Sequence, residues 1–499
     1  MIDEDFESLS TEKQVHRGTG KGVTKQCRCA YMLCTTVYPA KTIDWCNVAF
    51  GMLPDIALLE TFDYYVHDAH KWYTLVHVCR KWRSVVIGSP RRLGLQLQYN
   101  ASRPAREMLD IWPPFPITIR VFLANMEDVD NTIAVLEHND RIREIEITIL
   151  LSSWLSVTFS QFEKLMAAMQ RPFPALTRLD LVSTAPINPG SFLGGSAPHL
   201  RTLCFHGIPL PGLPKLLLSA TDLLLLQLQN IPQTGYFSPE ELVTCLSALT
   251  SLECLEIGFK FPQHSSDWIS QRPPPQTHTI LPALAKMHFK GANGYLEDFV
   301  ARIDAPLLKE LNITFCYERI FDTPQIIQFI SRTPKFEAHR EVHMLFSEWE
   351  VSVKLPLPHE AIILGIESRE PERQLSSLTQ VCSSSLPQTL VSMVEHLYIQ
   401  NTSMLPRWHD DIENGRWLEL LRPFIAVKTL YISQDFVPRI AAALQELVEE
   451  SVVEVLPALQ TLFVQGALPS GPVQQSIGQF AAARQLASHS IAISRWELQ

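Results

Sequence analysis

The feature that most constrains this chain is a short apolar pattern, φ-x-x-φ-x-φ, that recurs from residue 142 to residue 464. Its clearest copies are Leu176-x-x-Leu179-x-Leu181, Leu200-x-x-Leu203-x-Phe205, Leu223-x-x-Leu226-x-Leu228 and Leu252-x-x-Leu255-x-Ile257. Leu284-x-x-Met287-x-Phe289, Leu308-x-x-Leu311-x-Ile313, Val394-x-x-Leu397-x-Ile399, Val427-x-x-Leu430-x-Ile432 and Leu459-x-x-Leu462-x-Val464 continue the series, and Ile142-x-x-Ile145-x-Ile147 opens it. The last two apolar positions alternate with period two, so they point from one short strand into a shared core. The first sits on the approach to that strand. Pro174, Pro198, Pro282, Pro306 and Pro457 each stand two positions ahead of a copy.

Between these strands lie helix-compatible stretches, at 239–246, 295–303 and 323–330. Ser238-Pro239 and Thr323-Pro324 mark two starts as cap plus first-turn proline. One strand and one helix cannot bury an apolar face alone, but stacked neighbours can. Successive copies begin 34, 24, 23, 29, 32 and 24 residues apart up to Leu308, and the later ones 33 and 32 apart. That is the signature of an irregular leucine-rich-repeat solenoid, whose units run roughly 20–29 residues and tolerate loop insertions. The pattern is degenerate over 314–393, where Val342-x-Met344-x-Phe346 and Ala361-Ile362-Ile363-Leu364 read as strands. Beyond residue 466, Val473 to Leu486 reads as an amphipathic helix and Ile491-Ala492-Ile493 as a strand that caps the open edge of the solenoid.

Residues 51–100 read differently. Leu53-Pro54-Asp55-Ile56-Ala57-Leu58-Leu59-Glu60-Thr61-Phe62 is a helix start with apolar residues at helical spacing. A second amphipathic helix spans Trp72 to Val86, its apolar face carrying Trp72, Leu75, Val78, Cys79, Trp82 and Val86 and its wet face Arg80, Lys81 and Arg83. Trp72 and Trp82 fall close enough around that helix for both to be core. So small a module cannot bury every apolar residue internally and gains from a partner.

Leu53-Pro54-x-x-x-Leu58-Leu59-x-x-Phe62 followed by Leu75-Val76-x-Val78-Cys79-Arg80-x-Trp82-Arg83 resembles an F-box. The likeness is to F-box proteins expanded in fungi, in which a segment like Ser89-Pro90-Arg91-Arg92-Leu93-x-Leu95 follows. Ile56 and Ala57 depart from the family's usual Glu and larger aliphatic residue, and 66–71 is a polar insert. The resemblance implies docking onto a Skp-family adaptor of a cullin-RING ubiquitin ligase, through Leu53, Pro54, Leu58, Leu59 and Phe62 with Leu75, Val78 and Trp82. The cluster Arg80, Lys81, Arg83, Arg91 and Arg92 is either the wet side of the module or a surface for an acidic partner, where it speeds encounter.

A net charge of −10 excludes a global field for nucleic acid, and no apolar run reaches the length of a membrane helix. The acidic start, Met1-Ile2-Asp3-Glu4-Asp5, has no apolar core of a signal peptide, so a cytoplasmic or nuclear chain is expected. Cys79, Cys204, Cys245, Cys254, Cys316 and Cys382 are scattered beside apolar residues, as small buried hydrophobes are. Asn312-Ile313-Thr314 and Asn401-Thr402-Ser403 match a glycosylation pattern that has meaning only in a secreted chain.

Cys27-x-Cys29-x4-Cys34-x11-Cys46 is poor zinc spacing, and Gly18-Thr19-Gly20-Lys21-Gly22 lacks the first glycine and final hydroxyl of a phosphate loop. The dispersed charges Lys13, Arg17, Lys21, Lys25 and Arg28 suit a solvated tail. His359-Glu360 and His409-Asp410-Asp411 occur in no frame that orients a nucleophile or a metal. Arg272-Pro273-Pro274-Pro275 reads as an insertion loop.

The fold expected is therefore α/β (α+β by some classifications): a poorly ordered tail over 1–46, an F-box-like helical module over 47–100, a solenoid over 101–466 and a cap over 467–499. The function expected is a non-enzymatic substrate-recognition adaptor, with no cofactor, no metal, no nucleic acid and no membrane, whose repeats hold a protein substrate. A repeat scaffold without a ubiquitin role is one alternative. An enzyme on an unrelated α/β domain within 117–466 is another.

Overall fold

A computed structural model describes residues 53–65, 71–100, 104–149, 159–183, 192–209, 212–260, 278–316, 323–336, 340–357, 360–402, 413–450, 452–466 and 470–497. The cysteines and glycines of the N-terminal tail, its basic residues, the Pro-rich loop, His359 and His409-Asp410-Asp411 lie outside the described residues. Two compact units emerge, Met1–Gly94 and Leu95–Gln499. Among the described residues no helix is long and apolar enough to cross a membrane.

The first unit holds helices α1 (Asp55–Tyr65), α2 (Lys71–Val78) and α3 (Arg80–Gly88). Their apolar residues close on a small core of Leu58, Phe62, Trp72, Leu75, Val76, Val85 and Val86. The single helix expected over 72–86 is two. Cys79 is extended (φ −157°, ψ 170°) and its Sγ accepts from the Trp82 amide, so it caps α3 instead of continuing α2. The Arg83 guanidinium satisfies the freed Val76 carbonyl at 2.9 Å. This break resets the helical phase. Val78 therefore turns outward rather than joining the apolar face, and Trp82 is half-buried against Phe62, edge to face at 4.8 Å.

In the second unit the strands in chain order are β1 (Leu97–Tyr99), β2 (Ile117–Leu123), β3 (Ile142–Ile149), β4 (Arg178–Ser183), β5 (Thr202–His206) and β6 (Leu225–Ile231). Then come β7 (Cys254–Phe259), β8 (Thr279–Ile280), β9 (Lys286–Gly291), β10 (Ile303–Asp304), β11 (Glu310–Cys316) and β12 (Glu341–Phe346). The remainder are β13 (Glu350–Leu357), β14 (Glu360–Glu367), β15 (His396–Asn401), β16 (Thr429–Ile432), β17 (Thr461–Gln465) and β18 (Ala492–Trp496). All but β8 and β10 form one sheet, in the order β1-β2-β3-β4-β5-β6-β7-β9-β11-β14-β13-β12-β15-β16-β17-β18. Every neighbouring pair is parallel except those of β13, which runs antiparallel to β12 and β14.

The repeat positions stack in register. Leu179, Leu203, Leu226, Leu255, Met287 and Leu311 pair successively across β4 to β11, all buried. Burying each such side chain contributes about 1.5–3 kcal/mol. Helices between the strands supply the other side of this core, with Leu242 and Leu246, Leu296 and Phe299, and Ile326 and Phe329 all buried. Parallel strands joined by helical crossovers, repeated in sequence order, make this unit a solenoid of leucine-rich-repeat type.

Four details differ from the pattern read in the sequence. Two rungs, β1 and β2, precede Ile142, so the sheet starts inside the stretch assigned to the helical module. The degenerate region holds a third strand, β13, between the two expected. It brings Val351, Val353 and Leu355 into the core while running backwards, so the leading residue of the repeat has no role there. Thr323 makes no cap hydrogen bond to its helix; its hydroxyl goes to Ser384 O and Ser385 Oγ. The Glu297 carboxylate, from the preceding helix, accepts from the amides of Gln325 and Ile326 instead, each at 2.9 Å. Finally, β18 pairs in parallel with β17 and adds a rung rather than closing the edge. At the 239–246 helix, by contrast, Ser238 and Glu241 form the full capping box.

Candidate functional site

Two surfaces carry the chemistry, one on each unit. On the helical unit, Leu53 (37% exposed), Pro54, Ile56 (65%) and Val78 (53%) are apolar and reach solvent. Of the other residues singled out by the F-box resemblance, Leu59 and Trp82 are half-buried, while Leu58, Phe62 and Leu75 lie in the core. The basic cluster is largely engaged within its own unit. Lys81 Nζ donates to Leu53 O at 2.6 Å and stands 3.7 Å from Asp55, and Arg92 pairs with Glu60 and with Asp63. Arg80 and Arg91 remain exposed.

The second surface is the sheet face opposite the leucine core. It is built from the x residues of φ-x-x-φ-x-φ, which alternation turns away from the core. At its middle is an open pocket of about 280 Å³ spanning β6, β7, β9 and β11. Gln229 and Asn230 come from β6, Glu256 and Gly258 from β7, His288 and Lys290 from β9, and Asn312 and Thr314 from β11. A bulge shapes it: pairing of β6 with β7 slips between Leu228 and Ile231, and Asn230 takes a left-handed φ of 50°. The Asn230 amide nitrogen lies 2.7 Å from His206 Nε2.

The charges around this pocket are paired with one another. Gln229 Nε2 donates to Glu256 at 3.0 Å, and His288 lies 3.6 Å from Glu256 and 3.0 Å from Glu310. Lys290 meets Glu367 at 2.5 Å. Burial pushes the Glu310 carboxyl up, but hydrogen bonds from Lys286 and His288 outweigh it and hold it below its usual range. Glu350, on β13, is raised by burial and then by the neighbouring Glu367. Cys204 and Cys254 are pushed up by burial to about 12 and about 11, so neither is a thiolate nucleophile at neutral pH.

Further along the same face, His343, Tyr398, Tyr431 and Phe463 stack in one register row with ring centroids 4.3, 4.1 and 4.6 Å apart. Trp496 of β18 meets Tyr398 and Tyr431 edge-on. Neither the pocket nor this ladder was singled out from the sequence. The face that carries them was legible, because Glu256, His288, Asn312, Tyr398, Tyr431 and Phe463 all occupy the same x position between the strand's two apolar residues.

No protein-family model matches the chain, and no curated protein matches it. Among solved structures, a leucine-rich repeat-containing protein, LegL7 from Legionella pneumophila, is similar at 13% identity over 78% of this chain and 97% of its own, with a TM-score of 0.25. That likeness is too loose to carry an argument.

Proposed function

We propose that this chain is the substrate-recognition adaptor of an SCF-type cullin-RING ubiquitin ligase. Its helical unit docks on a Skp-family adaptor and its repeat face holds a protein substrate, while catalysis belongs to the ligase. The observation that supports this reading is the exposure of Leu53, Pro54, Ile56 and Val78 on a unit whose own core is already closed by Phe62, Trp72 and Leu75. Apolar residues left outside a small closed core are what a docking surface needs. The test is a pull-down of the full chain with a Skp-family adaptor, wild type against Leu53→Ala/Pro54→Ala. The expected result is capture by the wild type and a loss of about tenfold or more in the double variant. Absence of capture, or equal capture of both proteins, overturns the reading.

A second reading is a repeat scaffold without a ubiquitin role. It is favoured by the open sheet face, whose pocket and aromatic ladder require nothing of the helical unit. Capture of a binding partner through that face, together with failure of the adaptor pull-down, selects it.

A further inference from the structure

We propose that the pocket across β6, β7, β9 and β11 binds the carboxamide side chain, Asn or Gln, of an extended segment of a partner protein. The inference rests on the interaction role proposed above and names the chemistry that this face takes.

Charge is the first argument. Every ionic group lining the pocket already has an opposite or hydrogen-bonding neighbour: Glu256 has Gln229 and His288, and Lys290 has Glu367. A charged ligand group would have to displace one of these, leaving a partly buried charge without its partner. An uncharged group meets no such cost.

The unused hydrogen-bonding capacity is the second. Among the described residues, the side chains of Asn312 and Thr314 have no hydrogen-bond partner, and the Oδ1 of Asn230 and Oε1 of Gln229 accept nothing. Asn312 offers two N–H donors and an acceptor, Thr314 one donor and acceptor lone pairs, and the other two carboxamides offer acceptors. Donors and acceptors are therefore both in surplus, side by side, on adjacent strands. A carboxamide carries both kinds in one plane and satisfies them together, whereas a hydrocarbon or a lone carbonyl leaves some unmade.

Size is the third. About 280 Å³ falls just short of the roughly 300–1,000 Å³ of pockets for drug-sized molecules. It suits one polar side chain with its flanking peptide groups better than a cofactor. The room depends on Gly258. A Cβ there would make only ordinary contacts of 3.7–3.8 Å with Lys290, Asn230 and Gln229, but a longer side chain would enter the pocket.

The test uses the full chain immobilised against a randomised peptide library displayed on phage. Two variants accompany the wild type, Gly258→Leu to fill the space and Asn312→Leu/Thr314→Val to remove the unused groups, each checked for an unchanged circular-dichroism melt. The expected result is that wild type selects peptides with Asn or Gln at one position, at least about five-fold over the naive library, the factor a hydrogen bond supplies. Both variants should lose that preference. Selection of charged residues, selection without positional preference, no selection at all, or a preference surviving in a folded variant each overturns the proposal. If Gly258→Leu does not fold, the double variant decides alone. Adaptor docking is read separately at Leu53 and Pro54, so either proposal can fail while the other stands.

Discussion

Arg141, Arg332 and Arg484 each send a guanidinium back to backbone carbonyls of the preceding repeat. Arg141 donates to Pro113 and Phe115, Arg332 to Val300 and Ile303, and Arg484 to Val452, Leu456, Pro457 and Leu459. Loops that turn a chain between helix and strand leave carbonyls without partners, and a fork of N–H donors satisfies several at once. Arg484 is fully buried, and burial lowers its pKa. Arg484→Met leaves those carbonyls unsatisfied and should cost about 2–4 kcal/mol, read as a lowered midpoint in urea unfolding. Retained stability would mean that water replaces the guanidinium.

Two other residues predict pH behaviour of opposite sign. Burial lowers the His343 pKa, so the unfolded chain takes a proton that the folded one refuses. Stability should then fall as pH drops through the ordinary imidazole range near about 6.5, and His343→Phe should flatten that fall in melting temperature. Glu350 is raised by burial and then by Glu367, so its folded form holds the proton more tightly and stability is lost as pH rises above the ordinary carboxylate range. Glu350→Gln should therefore melt higher than wild type at about pH 7, with the difference closing toward about pH 4.5.

At the scale of elements, the antiparallel insertion is the departure with most consequence. Strands β12, β13 and β14 run in reverse order within the sheet, so β14 inherits the place beside β11 that a regular repeat would take. Its core residues Leu364 and Ile366, and Val353 of β13, continue the buried layer across the gap. Leu364→Ala should cost about 2–5 kcal/mol, as in a regular rung. A loss well under that would mean that the insertion is a peripheral hairpin rather than a bridge between two runs of repeats.

Across the whole molecule, each rung leans on its neighbours, so the terminal ones matter beyond their own contacts. The last helix (Pro472–Leu486) and β18 pack on the final repeat, the helix burying its own Ile477, Phe480 and Arg484 there. Removing residues 467–499 exposes Leu462 and Val464 and should lower the melting temperature by several degrees. An unchanged melt would show that the last helix and rung add nothing to the repeats before them.

What the sequence by itself determined was local. Leucine spacing sets which side chains must share a core, and proline with serine sets where the 239–246 helix starts. The alternation that hides Leu255 also decides that Glu256 stands on the open face. Tertiary structure decided whatever depends on residues distant in the chain: Glu297 capping a helix after Thr323 declined to, and β13 running backwards into the sheet. The pocket belongs to this second class. Its residues come from four strands, and only stacking in register brings Asn230, Gly258, His288 and Asn312 together.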